Sequence, residues 1–163
     1  MKIKNEAKKY FDDPVVTASR RCFVARGEYL YHLINEAHKA GLPIDFAHKA
    51  IYTWGDQMRH KLNNPDTTDF QEFMDTIFTE LECKVWEDEI TVTENEMRVE
   101  FHYCPLLEGW MRNTQDVEAL KELCDIAMEC DVALFSNPAF DYSLEKTFFT
   151  GADHCAMVIR KKK

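Results

Sequence analysis

The spacing of apolar residues changes part-way along the chain, and this change limits the folds that the sequence can adopt. Up to about residue 81, apolar residues recur three and four positions apart, which is the period of a helix with one buried face. From residue 90 they recur at every second position, which is the period of a strand with one buried face. We therefore predict a run of helices followed by antiparallel strands, an α+β fold.

The first part of the sequence predicts three amphipathic helices. One covers residues 17–40 and ends before a glycine and a proline, which stop helices. A second covers residues 47–62, with Asp45 as its N-cap. The third covers residues 70–81 behind the N-cap Asp69, and its apolar stripe is predicted to lie in the core.

The residues that follow predict a β-hairpin. Apolar and polar residues alternate over residues 90–93 and 97–103, and the polar stretch Glu-Asn-Glu between them predicts the turn. Pro105 has no N–H for the ladder and ends the second strand. Cys104 is therefore expected at the end of a strand, where the chain leaves the sheet.

A long helix and a second pair of strands complete the predicted fold. The helix takes Thr114 as its cap and places Cys124 on its inward stripe. Alternation returns over residues 142–149 and 154–160. We expect the N-terminal helices and this long helix to pack on an antiparallel sheet of about four strands, in a single domain over residues 1–163.

Charge and hydropathy exclude several classes of partner. The formal net charge is −9, whereas non-specific nucleic-acid binding needs a basic surface, so we predict no nucleic acid as partner. No apolar run reaches the roughly 20 residues of a membrane-spanning helix, and the polar start is unlike a secretory signal. We predict a cytoplasmic protein with no membrane contact and a small-molecule substrate. The sequence is also compatible with a homo-oligomer.

The cysteines are expected to be reduced thiols. A chain of 163 residues of which 45% are apolar has no need of disulfide staples. None of the cysteines forms a Cys-x-x-Cys pair, so no zinc ribbon or thioredoxin-like motif is encoded locally. There are six of them: Cys22, Cys83, Cys104, Cys124, Cys130 and Cys155.

A Gly-Ala-Asp-His-Cys motif near the C-terminal end carries three reactive side chains, Asp153, His154 and Cys155. Carboxylate, imidazole and thiol are the groups that a nucleophilic or metal site needs. Alternation along the strand places His154 on the face opposite Cys155, which argues against a simple dyad of these neighbours. Because Cys104 and Cys124 also point inward, we predict that the sulfurs of these two residues and of Cys155 converge in one pocket.

The sequence allows three interpretations of the chemistry of these cysteines. A cysteine without an activating neighbour behaves as a small buried hydrophobic residue. Three thiolates, or two with a carboxylate or imidazole, would satisfy a zinc-like ion with one open position. Alternatively, one thiolate is a nucleophile. Glu108 stands in an apolar segment, so a shielded carboxylate is expected there as a general acid or base.

The order of motifs in the C-terminal third resembles the L-2-amino-thiazoline-4-carboxylic acid hydrolase family, over roughly residues 100–160. The resemblance implies a shared fold, a shared pocket and the opening of a cyclic C–N or C=N bond by water. Ala156 and Met157 stand where the family pattern has an acidic and an aromatic residue. A more distant resemblance of the closing strand pair, to vinyl-reductase-type domains, implies small-molecule binding. The family motifs are Cys104-Pro105, Leu123-Cys124-Asp125, Asn137-Pro138, Leu144-Glu145-Lys146-Thr147 and Gly151-Ala152-Asp153-His154-Cys155.

Together these observations predict a hydrolase of a small cyclic or amide-like metabolite. Its reaction would use either a thiolate nucleophile or a metal-bound water. The alternative is a non-catalytic domain that binds a small molecule or a metal through the same cysteines. The candidate site residues are the pocket-lining Cys104, Cys124 and Cys155, with Glu108, Asp153 and His154 as acid, base or orienting groups.

Overall fold

The computed structural model describes residues 3–162, which form six α-helices and one sheet of four strands. The helices are α1 (Pro14–Lys39), α2 (Asp45–Arg59), α3 (Phe70–Ile77), α4 (Glu80–Trp86), α5 (Pro105–Met111) and α6 (Val117–Leu134). The strands are β1 (Asp88–Val92), β2 (Glu96–Phe101), β3 (Phe140–Lys146) and β4 (Cys155–Lys161), with a 3₁₀ helix at Phe148–Thr150. The predicted α+β fold is confirmed. Within residues 3–162, no helix combines the length and the apolar character that crossing a membrane requires.

Helix α1 has well-defined ends. The carboxylate of Asp13 accepts hydrogen bonds from the backbone N–H groups of Val15 and Val16, and Pro14 occupies the first turn, where its missing N–H costs nothing. Beyond the C-terminal end, Gly41 adopts a φ of 66°, which glycine reaches without strain. The helix therefore begins three residues before the predicted start and stops where the sequence predicts.

Two predicted features of the following helices are wrong. Asp45 does not cap α2: Ile44 occupies the N-cap position without a side-chain hydrogen bond, and Asp45 lies in the first turn. The predicted helix 70–81 is broken after α3, because Thr79 starts α4 with a capping box in which Thr79 and Glu82 bind each other's backbone N–H groups. Because the apolar stripe continues across the break, the spacing of apolar residues does not indicate where α3 ends and α4 begins.

Two further boundaries differ near the second strand pair. The carboxylate of Asp116, rather than Thr114, caps α6 by accepting from the N–H of Glu118. Strand β3 ends at Lys146 instead of residue 149, and the chain makes a 3₁₀ turn before Gly151, whose φ is 84°. This turn delivers the chain to the start of β4.

The sheet has the strand order β1-β2-β4-β3, and all neighbours are antiparallel. The register places Val99 opposite Met157 and Phe101 opposite Cys155. Alternation puts Met157 and Cys155 on one face of β4, and Met157 is 1% exposed. Because β4 lies between two other strands, Cys155 begins a strand that is held on both edges.

Glycines allow the helices to pack closely around this sheet face. A Cβ on Gly55 in α2 would lie 2.4 Å from the carbonyl oxygen of Cys130 in α6. A Cβ on Gly27 in α1 would lie 2.5 Å from the carbonyl oxygen of Leu106 in α5. These backbone contacts fix α6 and α5, the two helices that carry cysteines towards the interior.

Candidate functional site

A cavity of about 360 Å³ lies between the helices and the covered face of the sheet. It falls within the size range of small-molecule sites and is partly open to solvent. Most of its wall is aromatic or aliphatic. Its aromatic side chains include Phe23, Trp54, Phe78, Trp86, Phe101 and Trp110.

The cavity wall contains Cys104, Cys124 and Cys155, each supplied by a different element. Cys104 is the N-cap of α5, where its Sγ accepts a hydrogen bond from the N–H of Leu107 at 3.3 Å. Cys124 lies on the inner face of α6, and Cys155 begins β4. The structure therefore brings these three thiols to one cavity.

The other three cysteines differ in position. Cys130 is buried on α6 and also contributes to the cavity wall. Cys22 is exposed on α1, and Cys83 is half-buried on α4. Neither Cys22 nor Cys83 is part of the cavity wall among residues 3–162. The thiols that meet at the cavity are thus a subset of four.

Burial keeps the cavity thiols protonated. It raises the pKa of Cys104 to about 12, although the N–H of Leu107 opposes this effect. Burial also raises the pKa of Cys155 to about 11 and that of Cys124 well above its usual range. Since the thiolate is the nucleophilic form, these thiols are poor nucleophiles at neutral pH in the ligand-free protein.

His154 and Asp153 lie outside the cavity wall. The carboxylate of Asp153 is 2.8 Å from Nδ1 of His154, and Asp153 itself is exposed. The ring of His154 packs 5.4 Å from that of His102, with Glu100 nearby. These groups occupy the sheet face opposite Cys155, in agreement with the alternation along the strand.

Glu108 is also absent from the cavity wall described by residues 3–162. Its carboxylate accepts a hydrogen bond from the hydroxyl of Tyr103 and lies 2.5 Å from Nη2 of Arg112. Burial, followed by the bond to Glu108, raises the pKa of Tyr103. The catalytic roles that the sequence suggests for Glu108, Asp153 and His154 stay predictions, but these residues do not share a cavity with the cysteines.

Asp131 supplies a carboxyl group inside the cavity and is not among the site residues predicted from the sequence. Burial raises the pKa of Asp131 to about 7, while the positive charge of Arg26 opposes the rise. The charge of Asp131 in turn raises the pKa of Cys104, Cys124 and Cys155, so this carboxyl lies within electrostatic reach of all three. A group that titrates near neutrality can both accept and donate a proton there.

A second carboxyl group, that of Asp88, lines the cavity at the start of β1. Both of its oxygens are buried, and neither has a hydrogen-bond partner among residues 3–162. Burial raises its pKa to about 8, and the charge of Glu82 adds to the rise. At neutral pH Asp88 is therefore mostly protonated.

Among residues 3–162, Arg26 is the basic residue of the cavity wall. Its guanidinium carbon lies 4.5 Å from the ring centroid of Trp54 and 5.6 Å from that of Phe23. Burial lowers its pKa, and the charges of Cys130 and Asp131 oppose this effect. Within residues 3–162 its side chain takes part in no ion pair or side-chain hydrogen bond.

The helical period contains a signal for two of the missed residues. Asp131 follows Cys124 by seven positions and Met128 by three, so it continues the inward stripe of α6. Arg26 follows Phe23 by three positions on α1. For Asp88, which precedes the alternating run of β1, the sequence offers no comparable signal.

Within residues 3–162, no group of three or more histidine, cysteine, aspartate or glutamate side chains is arranged to hold a metal ion. The cavity thiols therefore do not form a preassembled metal centre with their neighbours in this conformation. The metal-bound water predicted as one route of hydrolysis stays a prediction.

The family model of the L-2-amino-thiazoline-4-carboxylic acid hydrolases matches residues 20–159. The chain belongs to this family. The match confirms the resemblance of residues 100–160 and extends it through the N-terminal helices, including the segment that carries Arg26. The lining residues of the cavity of this hydrolase-family protein thus all lie within the matched region.

Comparison with other proteins adds information about the fold. Among curated proteins, none matches the sequence. Among solved structures, the chain is similar to a trafficking protein particle complex subunit 3 from Naegleria fowleri that is covalently bound to palmitic acid. The two share 11% sequence identity with a TM-score of 0.54, over 86% of this chain and 95% of that chain. At this identity, the similarity shows a common fold alone.

Proposed function

We propose that this member of the hydrolase family opens a C–N bond of a small cyclic or amide-like metabolite in the cavity, with Asp131 as the proton-transferring group. The observation that carries the proposal is the position of Asp131, a carboxyl with a pKa raised to about 7, in a cavity whose wall is mostly apolar and also contains the three thiols. Family membership supports the reaction class, and the cavity supplies a shielded place for it.

The proposed step uses Asp131 first as a base and then as an acid. Its carboxylate accepts a proton from water while the water oxygen forms a bond to the carbon of the amide-like group. The protonated acid then donates this proton to the departing nitrogen as the C–N bond breaks, which regenerates the carboxylate. The half-buried thiols of Cys104, Cys124 and Cys155 remain neutral and contact the bound molecule as weak hydrogen-bond donors.

A second candidate function, binding without catalysis, is favoured by a different observation. The cavity wall is largely apolar, and the pKa of each of the three thiols is raised by burial rather than lowered towards a reactive thiolate. The trafficking subunit with a similar fold is covalently bound to palmitic acid, an apolar molecule. A binding domain of this type would bind an apolar molecule in the cavity without converting it.

The two functions are separated by an assay that follows turnover and binding together. L-2-amino-thiazoline-4-carboxylate, the compound in the name of the family, is incubated with the protein. Mass spectrometry then detects the product, whose mass exceeds that of the substrate by one water molecule. Binding is followed by intrinsic fluorescence, because Trp54, Trp86 and Trp110 line the cavity. Related cyclic and amide compounds are then tested in the same way.

Three variants identify the proton-transferring group. Asp131→Asn is expected to reduce turnover roughly a hundred- to ten-thousand-fold while ligand binding persists. Glu118→Gln is the matched control, since Glu118 is an exposed carboxylate on the same helix. Loss of turnover in Glu108→Gln, with full turnover in Asp131→Asn, would transfer the role to Glu108. Binding of the compounds without turnover of any of them would establish the second function instead.

The metal-bound water alternative is tested on the same preparation. Elemental analysis of protein purified without added metal measures bound transition metal, and a Cys155→Ser variant tests whether that metal depends on the cavity. A metal-free protein that still turns over substrate supports acid–base catalysis by Asp131. One equivalent of metal that is lost in the variant would overturn that assignment.

A further inference from the structure

Arg26 combines two properties that are uncommon in one side chain. Its guanidinium is desolvated enough for its pKa to be lowered, yet within residues 3–162 it has no ion-pair partner. Asp131 is near enough to affect the pKa of Arg26 but does not form an ion pair with it. Since its guanidinium lies on the cavity wall and is partly desolvated without an ion-pair partner, Arg26 is a candidate receptor for an anionic group from outside the chain.

Two aromatic rings flank the guanidinium of Arg26. Its central carbon lies over the rings of Trp54 and Phe23, 4.5 and 5.6 Å from their centroids, and arginine on an aromatic face keeps N–H groups available for hydrogen bonds. A planar guanidinium with free N–H groups matches a carboxylate, which it binds through two parallel hydrogen bonds. The geometry therefore favours a carboxylate over a neutral polar group.

Arg26 lies on a part of the cavity wall that is more exposed to solvent than the rest. Arg26 and Trp54 are exposed although they belong to the cavity wall, so this part of the wall meets solvent. Deeper wall residues such as Leu107, Trp110 and Met157 are almost completely buried, at 1% exposure each. A ligand that fits both environments has a charged group at the opening and an apolar body inside.

We propose that this cavity also binds aliphatic monocarboxylates, with the carboxylate on Arg26 at the opening and the apolar body against the inner wall. The cavity of about 360 Å³ has room for about a dozen non-hydrogen atoms, at the roughly 30 Å³ that one water occupies in the liquid. The inference rests on the proposed function only in that it concerns the same cavity.

Three acidic residues also line the cavity and bear on an anionic ligand: Glu82, Asp88 and Asp131. Glu82 is exposed and its charge is screened by water. The pKa of Asp88 is raised to about 8 and that of Asp131 to about 7, so both are largely neutral in mildly acidic solution. Carboxylate binding is therefore expected to be tightest near pH 6 and to weaken as the pH rises through 8.

Octanoate and octan-1-ol test the assignment, because they share an eight-carbon chain and differ in the charged group. Isothermal titration of the purified full chain at pH 6 is expected to show tighter binding of octanoate than of octan-1-ol. Arg26→Met is expected to weaken octanoate binding about ten- to a hundred-fold and to leave octan-1-ol binding unchanged. Arg26→Lys keeps the positive charge but loses the paired N–H donors of the guanidinium. Its octanoate affinity is expected to lie between those of the wild type and Arg26→Met.

Arg21→Met is the matched control, because Arg21 is an exposed arginine on the same helix that is not part of the cavity wall. Equal octanoate affinity of Arg26→Met and wild type would overturn the inference, as would failure of the wild type to bind octanoate. Unchanged octan-1-ol binding in Arg26→Met shows that the variant is folded with its cavity intact. If that binding is lost as well, Arg26→Lys decides: affinity equal to wild type for both compounds would overturn the guanidinium assignment.

The outcomes for this inference and for the proposed function are distinguishable. If octanoate does not bind while Asp131-dependent turnover of a C–N compound is found, the monocarboxylate inference fails and the hydrolase proposal stands. If octanoate binds through Arg26 while the wild type turns over no such compound, the hydrolase proposal fails and the inference stands.

Discussion

Arg20 and Glu87 form a buried ion pair, with 2.9 Å between Nη2 and Oε1, and their side chains are 9% and 0% exposed. The carboxylate of Glu87 also accepts hydrogen bonds from the backbone N–H groups of Lys8 and Lys9. Arg20 donates from its Nε to the carbonyl oxygen of Val85. This pair therefore joins the N-terminal segment, α1 and the end of α4, which carries cavity residues.

Arg20→Met is expected to lower the free energy of unfolding by about 3–5 kcal/mol, because it leaves the carboxylate of Glu87 buried without its cation. Urea unfolding followed by circular dichroism measures the change. Lys39→Met is the matched control, since Lys39 pairs with Glu36 on an exposed surface and its loss is expected to leave the midpoint unchanged. A loss below about 1 kcal/mol in Arg20→Met would show that the pair is dispensable.

Gly55→Ala is expected to destabilise the protein although alanine is the better helix former. The gain in helix propensity is about 1 kcal/mol, but the new Cβ would lie 2.4 Å from the carbonyl oxygen of Cys130, on backbone that has no flexible side chain to move. Overpacking of this kind costs about 1–3 kcal/mol, so a net loss of stability is expected. Thermal unfolding measures it, with the exposed α2 residue Gln57→Ala as control.

Much of the fold follows from the hydrophobic period alone. Alternation over β2 and β4 and the 3.6-residue stripe of α6 indicate the directions of Cys155 and Cys124, because both are set by backbone geometry within one element. The break between α3 and α4 does not follow from the period. There the capping box of Thr79 and Glu82 competes with a stripe that continues past it, and the local hydrogen bonds prevail.

The site could be predicted only in part, since its composition depends on how elements pack. Glu108 stands next to apolar residues in the sequence, yet in the fold its carboxylate lies outside the cavity wall, on Tyr103 and Arg112. Asp131 lies on the stripe of α6, but 29 acidic residues make any one of them inconspicuous. Its importance depends on Arg26 and on burial by other elements, neither of which local sequence specifies.

Asp88→Asn is expected to reduce the dependence of stability on pH. Burial raises the pKa of Asp88 from 3.8 to about 8 in the folded state, so its contribution to stability is complete below about pH 4 and is lost as the pH rises through 8. Asparagine has no such ionisation. Urea unfolding at pH 5 and pH 9 should show a smaller difference in the variant than in the wild type. The exposed residue Asp75→Asn is the control, and equal pH dependence of all three proteins would contradict the prediction.

The cavity thiols are expected to react slowly with iodoacetamide at pH 7.5, whereas the exposed Cys22 is expected to react first. Burial raises the pKa of Cys155 from 9.0 to about 11, which lowers its thiolate fraction roughly a hundredfold, and Cys104 and Cys124 are shifted in the same direction. Digestion and mass spectrometry at successive times give the rate at each cysteine. Urea should bring the rates together, because unfolding removes the burial, and Cys22→Ser removes the dominant signal without touching the cavity. If Cys155 or Cys124 reacts faster than Cys22 in the folded protein, an activated thiolate is present, and the nucleophilic mechanism replaces acid–base catalysis by Asp131.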